Sequence, residues 1–372
     1  MVRIGITGQK GFIGSHLYNH FGLKKDEIKR IWFEDEYFSD ENKLEEFVRQ
    51  CDVIIHLAAL NRHNDPQAIY NINIELVNKL IAALENTGSR PHVLFSSSTQ
   101  EERDNVFAQS KREGRKLLMQ WAEKNNALFT GMIIPNVYGP FGLPYYNSVI
   151  ATFSHQLTHE EEPRIEVDAQ LKLIYIDDLV KIIHDIISRN VSDNEFRLPY
   201  STEIRVSEIL AKLNGFKSLY YERGIMPDLT RQFERNLFNT FVCYMDIKNR
   251  YPVKLKQNTD ERGTFVETIQ LNSGGQVSFS TTKPGITRGN HFHTRKAERF
   301  AVIKGRALIQ LRRIGSDKVL EFNLDGHEPA YVDMPIWYTH NITNTGNDEL
   351  YTFFWINELF NPEDPDTFFE KV

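Results

Sequence analysis

The pattern of apolar segments changes partway along the chain, and this change limits the possible folds more than any other sequence feature. Up to about residue 125, short apolar runs alternate with amphipathic helical stretches. This βαβ rhythm predicts a doubly wound, Rossmann-like parallel sheet. The segments concerned are Val2 to Thr7, Phe12 to Gly22, Val53 to Ala59, Ile72 to Leu84, His92 to Ser98 and Asn105 to Lys124.

From about Val253 onward the chain reads as short alternating strands separated by Gly, Pro and Asn, which is typical of an all-β barrel. Examples are Gln276 to Thr281, Arg299 to Ile303, Ala307 to Arg312 and Leu350 to Trp355. Periodicity is lost between Tyr244 and Lys256, and 372 residues are enough for two cores. We therefore predict an α/β domain over residues 1–245 and an all-β domain over residues 246–372.

Composition narrows the classes of partner. A net charge of −6 argues against a nucleic-acid or anionic-membrane surface, since both require clustered Lys and Arg. The two cysteines, Cys51 and Cys243, are far apart in sequence, which argues against disulfides and thiolate metal sites. No apolar stretch approaches the length of a signal sequence or a membrane span. We expect a soluble, cytoplasmic protein.

A glycine motif lies between the first apolar run and the first helical stretch. Thr7, Gly8, Gly11 and Gly14 form TGxxGxxG, with Phe12 as the first residue of the following helix. Glycines there allow a tight turn and close approach of backbone amides to a pyrophosphate, and the helix N-terminus adds partial positive charge. The simpler interpretation is a plain strand-to-helix turn. The position within a βαβ unit favours a dinucleotide.

The next apolar run, about Ile28 to Phe33, ends in an acidic cluster, Glu34 to Glu36. A carboxylate at this place, for which we select Asp35, binds a ribose 2′-hydroxyl and repels a 2′-phosphate, so it favours NAD(H). The alternative is a solvated acidic loop. Arg30 or Arg62 would instead suit the 2′-phosphate of NADP(H).

A second motif lies in the all-β part. His291, His293 and Glu298 are spaced HxHxxxxE, and His340 follows about forty residues later. Alternate residues of a strand face the same side, so the first two histidines would both point into a barrel. Two imidazoles, a carboxylate and a third imidazole predict a metal site that suits Zn²⁺ and also admits Fe, Mn or Ni. A single histidine would more simply be a satisfied core residue.

Five motifs together make residues 1 to about 240 resemble an extended short-chain dehydrogenase/reductase. They are the glycine motif, His56-Leu57-Ala58-Ala59, Ser96-Ser97-Ser98, Ser110-Lys111 and Pro135-Asn136-Val137-Tyr138-Gly139-Pro140. The resemblance implies that Ser98 orients the substrate carbonyl and that Lys111 binds the cofactor ribose and assists proton transfer. It also implies cofactor contacts from Leu57 and Ala58, and substrate contacts from Asn136 and Asn147.

One position departs from that family. Phe107 stands where the family has the tyrosine of its YxxxK pair, and phenylalanine cannot donate a proton. Three interpretations follow. Ser98, Thr99 or a water held by Lys111 replaces the donor, or catalysis is slow, or reduction has been lost and cofactor binding is vestigial.

The all-β part resembles the cupin deoxysugar epimerases, through Asp260 to Glu267, Gly285 to His291 and Pro335 to Asn344. In the last stretch Trp337 replaces a glycine of the second cupin motif. The resemblance implies a base at His291, which is alternatively a metal ligand or a partner of one. Tyr338 would be a proton donor on the opposite face of the sugar, or else a packing residue at the rim.

Two arginines of the same stretches suit a diphosphate. Arg262 and Arg288 would bind it bidentately, or would only pair with Glu267 or Asp260.

The domain order and the stretch Asn361 to Phe368 make the whole chain resemble bifunctional enzymes of capsular polysaccharide synthesis. The resemblance implies a homodimer with a zinc-bearing cupin that epimerises C3 of a UDP-4-keto-6-deoxy-N-acetylhexosamine. NADPH would then reduce C4, giving UDP-2-acetamido-2,6-dideoxy-L-talose. The alternatives are an epimerase whose N-terminal domain binds cofactor without reducing, and a non-catalytic nucleotide-sugar-binding protein.

Overall fold

The computed structural model describes residues 1–372, which form two compact units. The first unit comprises Met1–Tyr138, Tyr145–Ser148 and Ala169–Arg205. The second comprises Gly139–Pro144, Val149–Asp168 and Val206–Val372, and so includes residues that precede the predicted boundary at 245/246. That boundary stays a prediction about independently folding domains.

The chain contains nine α-helices: α1 (Phe12–Gly22), α2 (Glu41–Gln50), α3 (Pro66–Thr87), α4 (Val106–Asn125), α5 (Val149–Thr158), α6 (Ile176–Ser188), α7 (Val206–Phe216), α8 (Gln232–Val242) and α9 (Ile247–Arg250). Short 3₁₀ turns occupy Asp35–Ser39 and Thr99–Glu102, and a π turn occupies Lys217–Tyr221.

Nine strands precede the predicted domain boundary: β1 (Val2–Thr7), β2 (Ile28–Ile31), β3 (Val53–His56), β4 (His92–Ser98), β5 (Phe129–Ile134), β6 (Asn136–Tyr138), β7 (Gln170–Tyr175), β8 (Asp193–Arg197) and β9 (Thr202–Arg205). Twelve follow it: β10 (Val253–Lys254), β11 (Gln257–Asp260), β12 (Gly263–Val266), β13 (Gln276–Thr282), β14 (Thr287–Phe292), β15 (Glu298–Lys304), β16 (Arg306–Arg313), β17 (Val319–Asp325), β18 (Ala330–Met334), β19 (Tyr338–Asn344), β20 (Leu350–Ile356) and β21 (Phe368–Phe369).

The first unit is built on a six-stranded parallel sheet of order β2-β1-β3-β4-β5-β8. Its central strands are buried on both faces, as expected for a parallel sheet covered by helices. Strand order reverses beside β1, because β2 lies on one side of it and β3 on the other. Ligands of open α/β sheets bind at such a switch point, outside the carboxyl ends of the strands.

The second unit contains two five-stranded sheets, of order β10-β18-β15-β20-β13 and β17-β16-β19-β14-β21. Neighbouring strands in both are antiparallel. A separate hairpin, β11-β12, pairs only with itself and is exposed. The predicted fold class, a Rossmann-like sheet followed by a cupin-like antiparallel barrel, is confirmed.

A buried ion pair fixes the strand that begins at Glu298. Arg299 is 1% exposed, and its guanidinium donates to both carboxylate oxygens of Asp333 at 2.6 and 2.9 Å. The hydroxyls of Tyr220 and Tyr251 also donate to Asp333, at 2.6 and 3.2 Å. Since every charge in the group has a partner, removing one of them would leave its partner buried and unpaired.

Several element ends differ from the sequence prediction. β2 ends at Ile31 and β3 at His56, earlier than predicted. The β3 prediction ran to Ala59, but Leu57 and Ala58 turn to hydrogen-bond Thr7 instead of continuing the strand. No helix of the molecule is both long enough and apolar enough to traverse a bilayer.

Candidate functional site

The glycine motif forms the turn that its spacing predicts. Gly8 has φ +71°, and a Cβ there would lie 2.9 Å from the backbone nitrogen of Ala58. A Cβ on Gly14 would lie 2.3 Å from the carbonyl oxygen of Gly8. Gly11 precedes α1 without a side-chain cap, and the first turn of α1 carries no acidic residue. The uncapped amides and the helix dipole therefore favour an anion at this turn.

A threonine and a histidine hold the strand ends together beneath this turn. Thr7 Oγ1 lies 2.8 Å from Nδ1 of His56 and accepts a hydrogen bond from the Ala58 amide at 3.3 Å. Burial, and after it the charge of Lys111, lowers the pKa of His56 to about 3, so the imidazole is neutral at neutral pH. His56 belongs to the motif His56-Leu57-Ala58-Ala59, but its role in positioning Thr7 depends on a contact between residues 49 positions apart in the sequence.

The residues of the acidic cluster, Glu34 to Glu36, lie in different environments. Asp35 is the first residue of a 3₁₀ turn, whereas the Glu34 carboxylate accepts from the indole of Trp32 at 2.9 Å. Lys10 of the glycine turn lies 3.8 Å from Glu34. The Trp32 hydrogen bond, together with the charge of Lys10, holds the pKa of Glu34 below its usual value. Glu34 is therefore the carboxylate of the cluster that contacts the glycine turn, through Lys10.

The two arginines considered for a 2′-phosphate have other contacts. Arg30 lies over the ring of Tyr18 at 4.1 Å and donates to the Tyr18 carbonyl. Arg62 donates to Asn147 at 2.9 Å, so the side chain predicted to contact substrate is held beside the Leu60 to Asp65 loop. Asn136 lies on β6 and donates to the carbonyl of Lys172 at 3.4 Å.

Lys111 lies on α4, 6% exposed, and has no carboxylate partner. Its ammonium donates to the carbonyl of Ser96 at 3.0 Å and lies 5.3 and 5.7 Å from the ring centroids of Phe95 and Phe107. Burial lowers the pKa of Lys111 to about 8. A phenylalanine therefore shares one helix face with the lysine, at the place predicted for the family's tyrosine.

Ser98 ends β4 and precedes a short 3₁₀ turn. Its hydroxyl oxygen accepts from the Gln100 amide at 3.1 Å, and its hydroxyl hydrogen is not committed to a protein acceptor. The turn itself is held by Glu101, which is 5% exposed, accepts a short hydrogen bond from Ser97 and pairs with Arg115 at 3.0 Å. Ser98 can therefore donate to a ligand from a fixed position.

In the second unit the four predicted metal ligands come together. One nitrogen or oxygen of each of His291, His293, Glu298 and His340 lies within 4.8 Å of the others. Nε2 of His293 and Nε2 of His340 lie 3.3 and 3.1 Å from Oε2 of Glu298. Those separations are within ion-pair range, yet all three atoms are buried without a hydrogen bond of acceptable geometry.

Unpartnered polar atoms of this kind are rare in native proteins. Ligand atoms that share one ion at 2.0–2.2 Å lie about 3–4 Å apart, so the residues present fit a divalent metal.

Backbone carbonyls orient two of these imidazoles. Nδ1 of His293 donates to the carbonyl of Asp366, and Nδ1 of His340 faces the carbonyl of Tyr338 at 3.2 Å. Because a carbonyl can only accept, Nδ1 carries the hydrogen and Nε2 presents a lone pair toward Glu298.

The charge states also suit a metal. Burial raises the pKa of Glu298, but the two imidazoles beside it, His293 and His340, outweigh burial and hold the pKa well below its usual value. Burial, followed by the charges of His340 and His293, lowers the pKa of His291 to about 4. The carboxylate is therefore ionised and His291 is neutral at neutral pH. His291 is also the most exposed of the four.

The predicted acid lies next to the cluster along β19. Tyr338 and His340 are two residues apart on one strand, so they face the same side of the sheet. Burial, followed by the Cys243 thiol and opposed by Arg313, raises the pKa of Tyr338 to about 12. Arg313 lies over the ring of Phe141 at 3.7 Å, and that ring contacts Tyr338. Tyr338 is therefore protonated at neutral pH.

The two predicted diphosphate ligands differ in placement. Arg288 pairs with Ile342 on β19, on the face that also carries His340, and its side chain is exposed without an ion pair. Arg262 lies at the tip of the β11-β12 hairpin and pairs with Asp260 at 2.6 Å, which is the alternative considered from the sequence. The structure brings Arg288, and not Arg262, onto the sheet face of the histidine cluster.

Taken by itself, the first unit defines a dinucleotide-binding fold of the oxidoreductase type, and the second a cupin-like barrel with a metal-type cluster. The chain belongs to the NAD dependent epimerase/dehydratase family, which it matches over residues 4–198. Residues 258–368 match the polysaccharide biosynthesis C-terminal domain. The chain is thus one of the NAD(P)-dependent nucleotide-sugar oxidoreductases and epimerases.

Full-length relatives share both parts. The chain is 33% identical over 373 residues to the UDP-2-acetamido-2,6-beta-L-arabino-hexul-4-ose reductase of Pseudomonas aeruginosa, covering 99% of this chain and 98% of the relative. It is also similar to the crystal structure of the capsular polysaccharide assembling protein CapF of Staphylococcus aureus. There the identity is 33%, both chains are covered completely and the TM-score is 0.63. The resemblance inferred from the sequence motifs is confirmed.

A more distant structure supports the fold of the first unit alone. RMD from Pseudomonas aeruginosa, complexed with NADPH, is 19% identical over 59% of this chain and 83% of its own, with a TM-score of 0.53.

Proposed function

We propose that the chain is a bifunctional nucleotide-sugar enzyme. Its cupin unit epimerises C3 of a UDP-4-keto-6-deoxy-N-acetylhexosamine, and its N-terminal unit reduces C4 with NAD(P)H. The product is UDP-2-acetamido-2,6-dideoxy-L-talose, for capsule or O-antigen synthesis. The observation that carries this proposal is that one chain holds a glycine turn, a buried Lys111 and a converging His/Glu cluster.

In the cupin half, the keto group at C4 acidifies the C3 proton, so a base can remove it and an acid can return it to the other face. His291, neutral and partly exposed, acts as the base or completes the metal site. His293, Glu298 and His340 would hold the metal, which when bound supplies Lewis-acid polarisation of the ketone. Tyr338, protonated because of its raised pKa, suits the donor on the opposite face.

Arg288 suits the diphosphate of the same substrate. Its partner residue Ile342 and the acid Tyr338 are four positions apart on β19, which corresponds to about 13 Å along the strand. A nucleotide sugar is an extended ligand, so its sugar and its diphosphate can reach different points of one sheet face. We keep Arg262 as a further candidate, which must release Asp260 before it binds phosphate.

In the N-terminal half, the TGxxGxxG turn, with Thr7 and Phe12, and the adjoining Leu57 and Ala58 would bind the dinucleotide. The cofactor supplies the hydride. Lys111 would bind the nicotinamide ribose, and the uncommitted hydroxyl of Ser98 would donate to the C4 oxygen. Asn136 and Asn147 would contact the sugar nucleotide. Glu34 or Asp35 would contact the adenosine ribose, where a carboxylate favours NAD(H).

A second candidate function is an epimerase whose N-terminal unit binds cofactor without reducing. Phe107 favours it, because no phenol stands beside Lys111 to protonate the C4 oxygen. Under the bifunctional proposal that proton comes from Ser98, Thr99 or a water held by Lys111.

One experiment separates the two. The protein is incubated with a UDP-4-keto-6-deoxy-N-acetylhexosamine in deuterated water, with NADH or NADPH. Deuterium at C3 requires a working cupin, and loss of the absorbance of the reduced nicotinamide requires reduction. Exchange without oxidation selects the non-reducing epimerase, and neither signal leaves only a binding protein.

The proposed homodimer and metal are tested separately. Light scattering of the purified chain should give twice the monomer mass, and metal analysis should find about one divalent ion, Zn²⁺ on our proposal, per chain.

A further inference from the structure

The loop between two of the candidate metal ligands is organised by a residue far away in sequence. His293 follows β14 and Glu298 begins β15, so the four residues Thr294 to Ala297 set the distance between them. Such a short connection leaves several backbone amides outside the sheet ladders, and buried amides require partners.

Asp366 supplies those partners. It is 4% exposed, and one of its carboxylate oxygens accepts from the amide and the hydroxyl of Thr294 at 3.1 and 2.6 Å. The other oxygen accepts from the amides of Arg295 and Lys296 at 3.0 and 3.1 Å. One carboxylate therefore satisfies three consecutive amides of the ligand-bearing loop.

The backbone of the same residue acts on a ligand directly. The carbonyl of Asp366 accepts from Nδ1 of His293, which places the hydrogen on Nδ1 and leaves Nε2 as a lone pair. Asp366 thus controls both the spacing between His293 and Glu298 and the tautomer of His293, although it offers no ligand atom to the cluster.

The neighbours of Asp366 hold it in this position. Lys296 donates to the carbonyl of Pro365 at 2.9 Å. Phe368 stacks on Phe292 with ring centroids 5.4 Å apart. Residues on both sides of Asp366 are therefore anchored, one to the ligand-bearing loop and the other to β14.

We infer that Asp366 is a positioning residue for the metal, and that its hydrogen bonds to the amides of Thr294, Arg295 and Lys296 set the affinity of the barrel for a divalent ion. This inference rests on the proposed metal function of the His291, His293, Glu298 and His340 cluster. Outer partners of ligating histidines typically change metal affinity about 10- to 100-fold when they are lost.

The test compares Asp366→Asn with Asp364→Asn in the full chain. Asparagine keeps the shape of the side chain and tolerates the φ of +43° at this position, but its NH₂ group cannot accept from a backbone amide. Asp364 is a matched control, since it lies in the same segment and its side chain pairs only with the guanidinium of Arg295. Zn²⁺ affinity is measured by competition with a chromophoric chelator, and the visible spectrum of the Co²⁺-loaded protein reports ligand geometry.

We expect Asp366→Asn to bind Zn²⁺ about 10- to 100-fold more weakly, with an altered Co²⁺ spectrum, and Asp364→Asn to match the wild type. Amide hydrogen exchange in the metal-free protein should be faster at residues 294–296 in Asp366→Asn alone. Wild-type affinity and spectrum in Asp366→Asn would overturn the inference. A wild-type protein that binds no divalent ion would instead overturn the proposed metal function.

If Asp366→Asn does not fold, Thr294→Val decides the question, because it removes only the hydroxyl bond to Asp366. A smaller loss of Zn²⁺ affinity, with faster exchange confined to the loop, supports the inference. Unchanged affinity and exchange contradict it.

Discussion

The ammonium of Lys111 lies 5.7 Å from the ring centroid of Phe107, one helical turn apart on α4. The lysine is therefore present, but the tyrosine whose pKa it would lower is replaced by Phe107. Burial has lowered the pKa of Lys111 to about 8, and no carboxylate compensates for its charge. The charge is therefore available to a ligand, and the group absent beside it is a phenol.

Phe107→Tyr should raise the rate of C4 reduction, because it places a phenol beside a cation that lowers its pKa. Proton donation by a positioned side chain contributes about 10²- to 10⁴-fold, so a large part of that factor is expected in single-turnover oxidation of the reduced cofactor. Phe107→Leu is the matched control and should not accelerate reduction. A rate equal to the wild type in Phe107→Tyr would show that another donor already serves.

Lys111→Met should change how stability depends on pH. The pKa of Lys111 falls from 10.5 in the unfolded chain to about 8 in the folded one, so between these values the unfolded state binds more protons. The free energy of unfolding of the cofactor-free wild type therefore rises with pH across this window, by up to about 3 kcal/mol from this group. The loss of stability caused by the buried Lys111 charge is fully present below about pH 8.

Lys111→Met lacks this titration. Its free energy of unfolding should therefore exceed that of the wild type most near neutral pH, and the difference should shrink toward pH 10. Urea unfolding at about pH 7 and about pH 10 measures the difference, with Lys116→Met, an exposed lysine of the same helix, as control. A constant difference between the two pH values would contradict the prediction. The same variant should bind reduced cofactor more weakly.

Glu34→Gln should shift cofactor preference toward NADPH. The Glu34 carboxylate lies beside the glycine turn and would repel a 2′-phosphate, whereas the amide would not, and Lys10 would be released from its contact at 3.8 Å. We expect the ratio of the NADH and NADPH dissociation constants to move about tenfold, or about 1.4 kcal/mol, in a fluorescence titration. Glu41→Gln is the control. If the ratio stays the same, the ribose contact lies elsewhere, with Asp35 as the next residue to test.

His340→Ala should abolish stabilisation of the barrel by zinc. A ligand that binds only the folded state adds about 2.7 kcal/mol at 100 times its dissociation constant, so Zn²⁺ should raise the melting temperature of the wild type. The variant lacks Nε2 of His340 and should show no such rise. His327→Ala, an exposed histidine paired with Asp325, should behave as the wild type. A full zinc response in His340→Ala would remove this residue from the site.

The fold was predictable where the deciding interactions are local. β1, α1 and β4 begin and end where the apolar pattern places them, because periodicity reflects burial on a face. β3 ends early, at His56, because Leu57 and Ala58 bond to Thr7 about fifty residues earlier.

In the candidate site, too, local features were predictable from the sequence and long-range contacts were not. Strand alternation and motif spacing predict that His291 and His293 share a barrel face, and the loss of the tyrosine at Phe107 is visible in one line of sequence. Asp366 was not predictable, because its bonds to the Thr294 loop span about seventy residues and depend on how the segment packs. The contact between Glu34 and the glycine turn was not predictable either, because it depends on where Trp32 and Lys10 lie, and the choice of Asp35 stays a prediction.

The buried pair of Arg299 and Asp333 has a consequence for errors in strand pairing. Glu298 and Arg299 are adjacent on β15 and face opposite sides of the sheet, so a slip of one residue would turn each side chain to the other face. A slip in one direction would place the Arg299 guanidinium at the position of Glu298, among the histidines. A slip in the other direction would place the Glu298 carboxylate opposite Asp333, where two like charges would be buried together. In either register a buried charge loses its partner, so the opposite charges of these two residues disfavour misaligned pairing of β15 in the barrel.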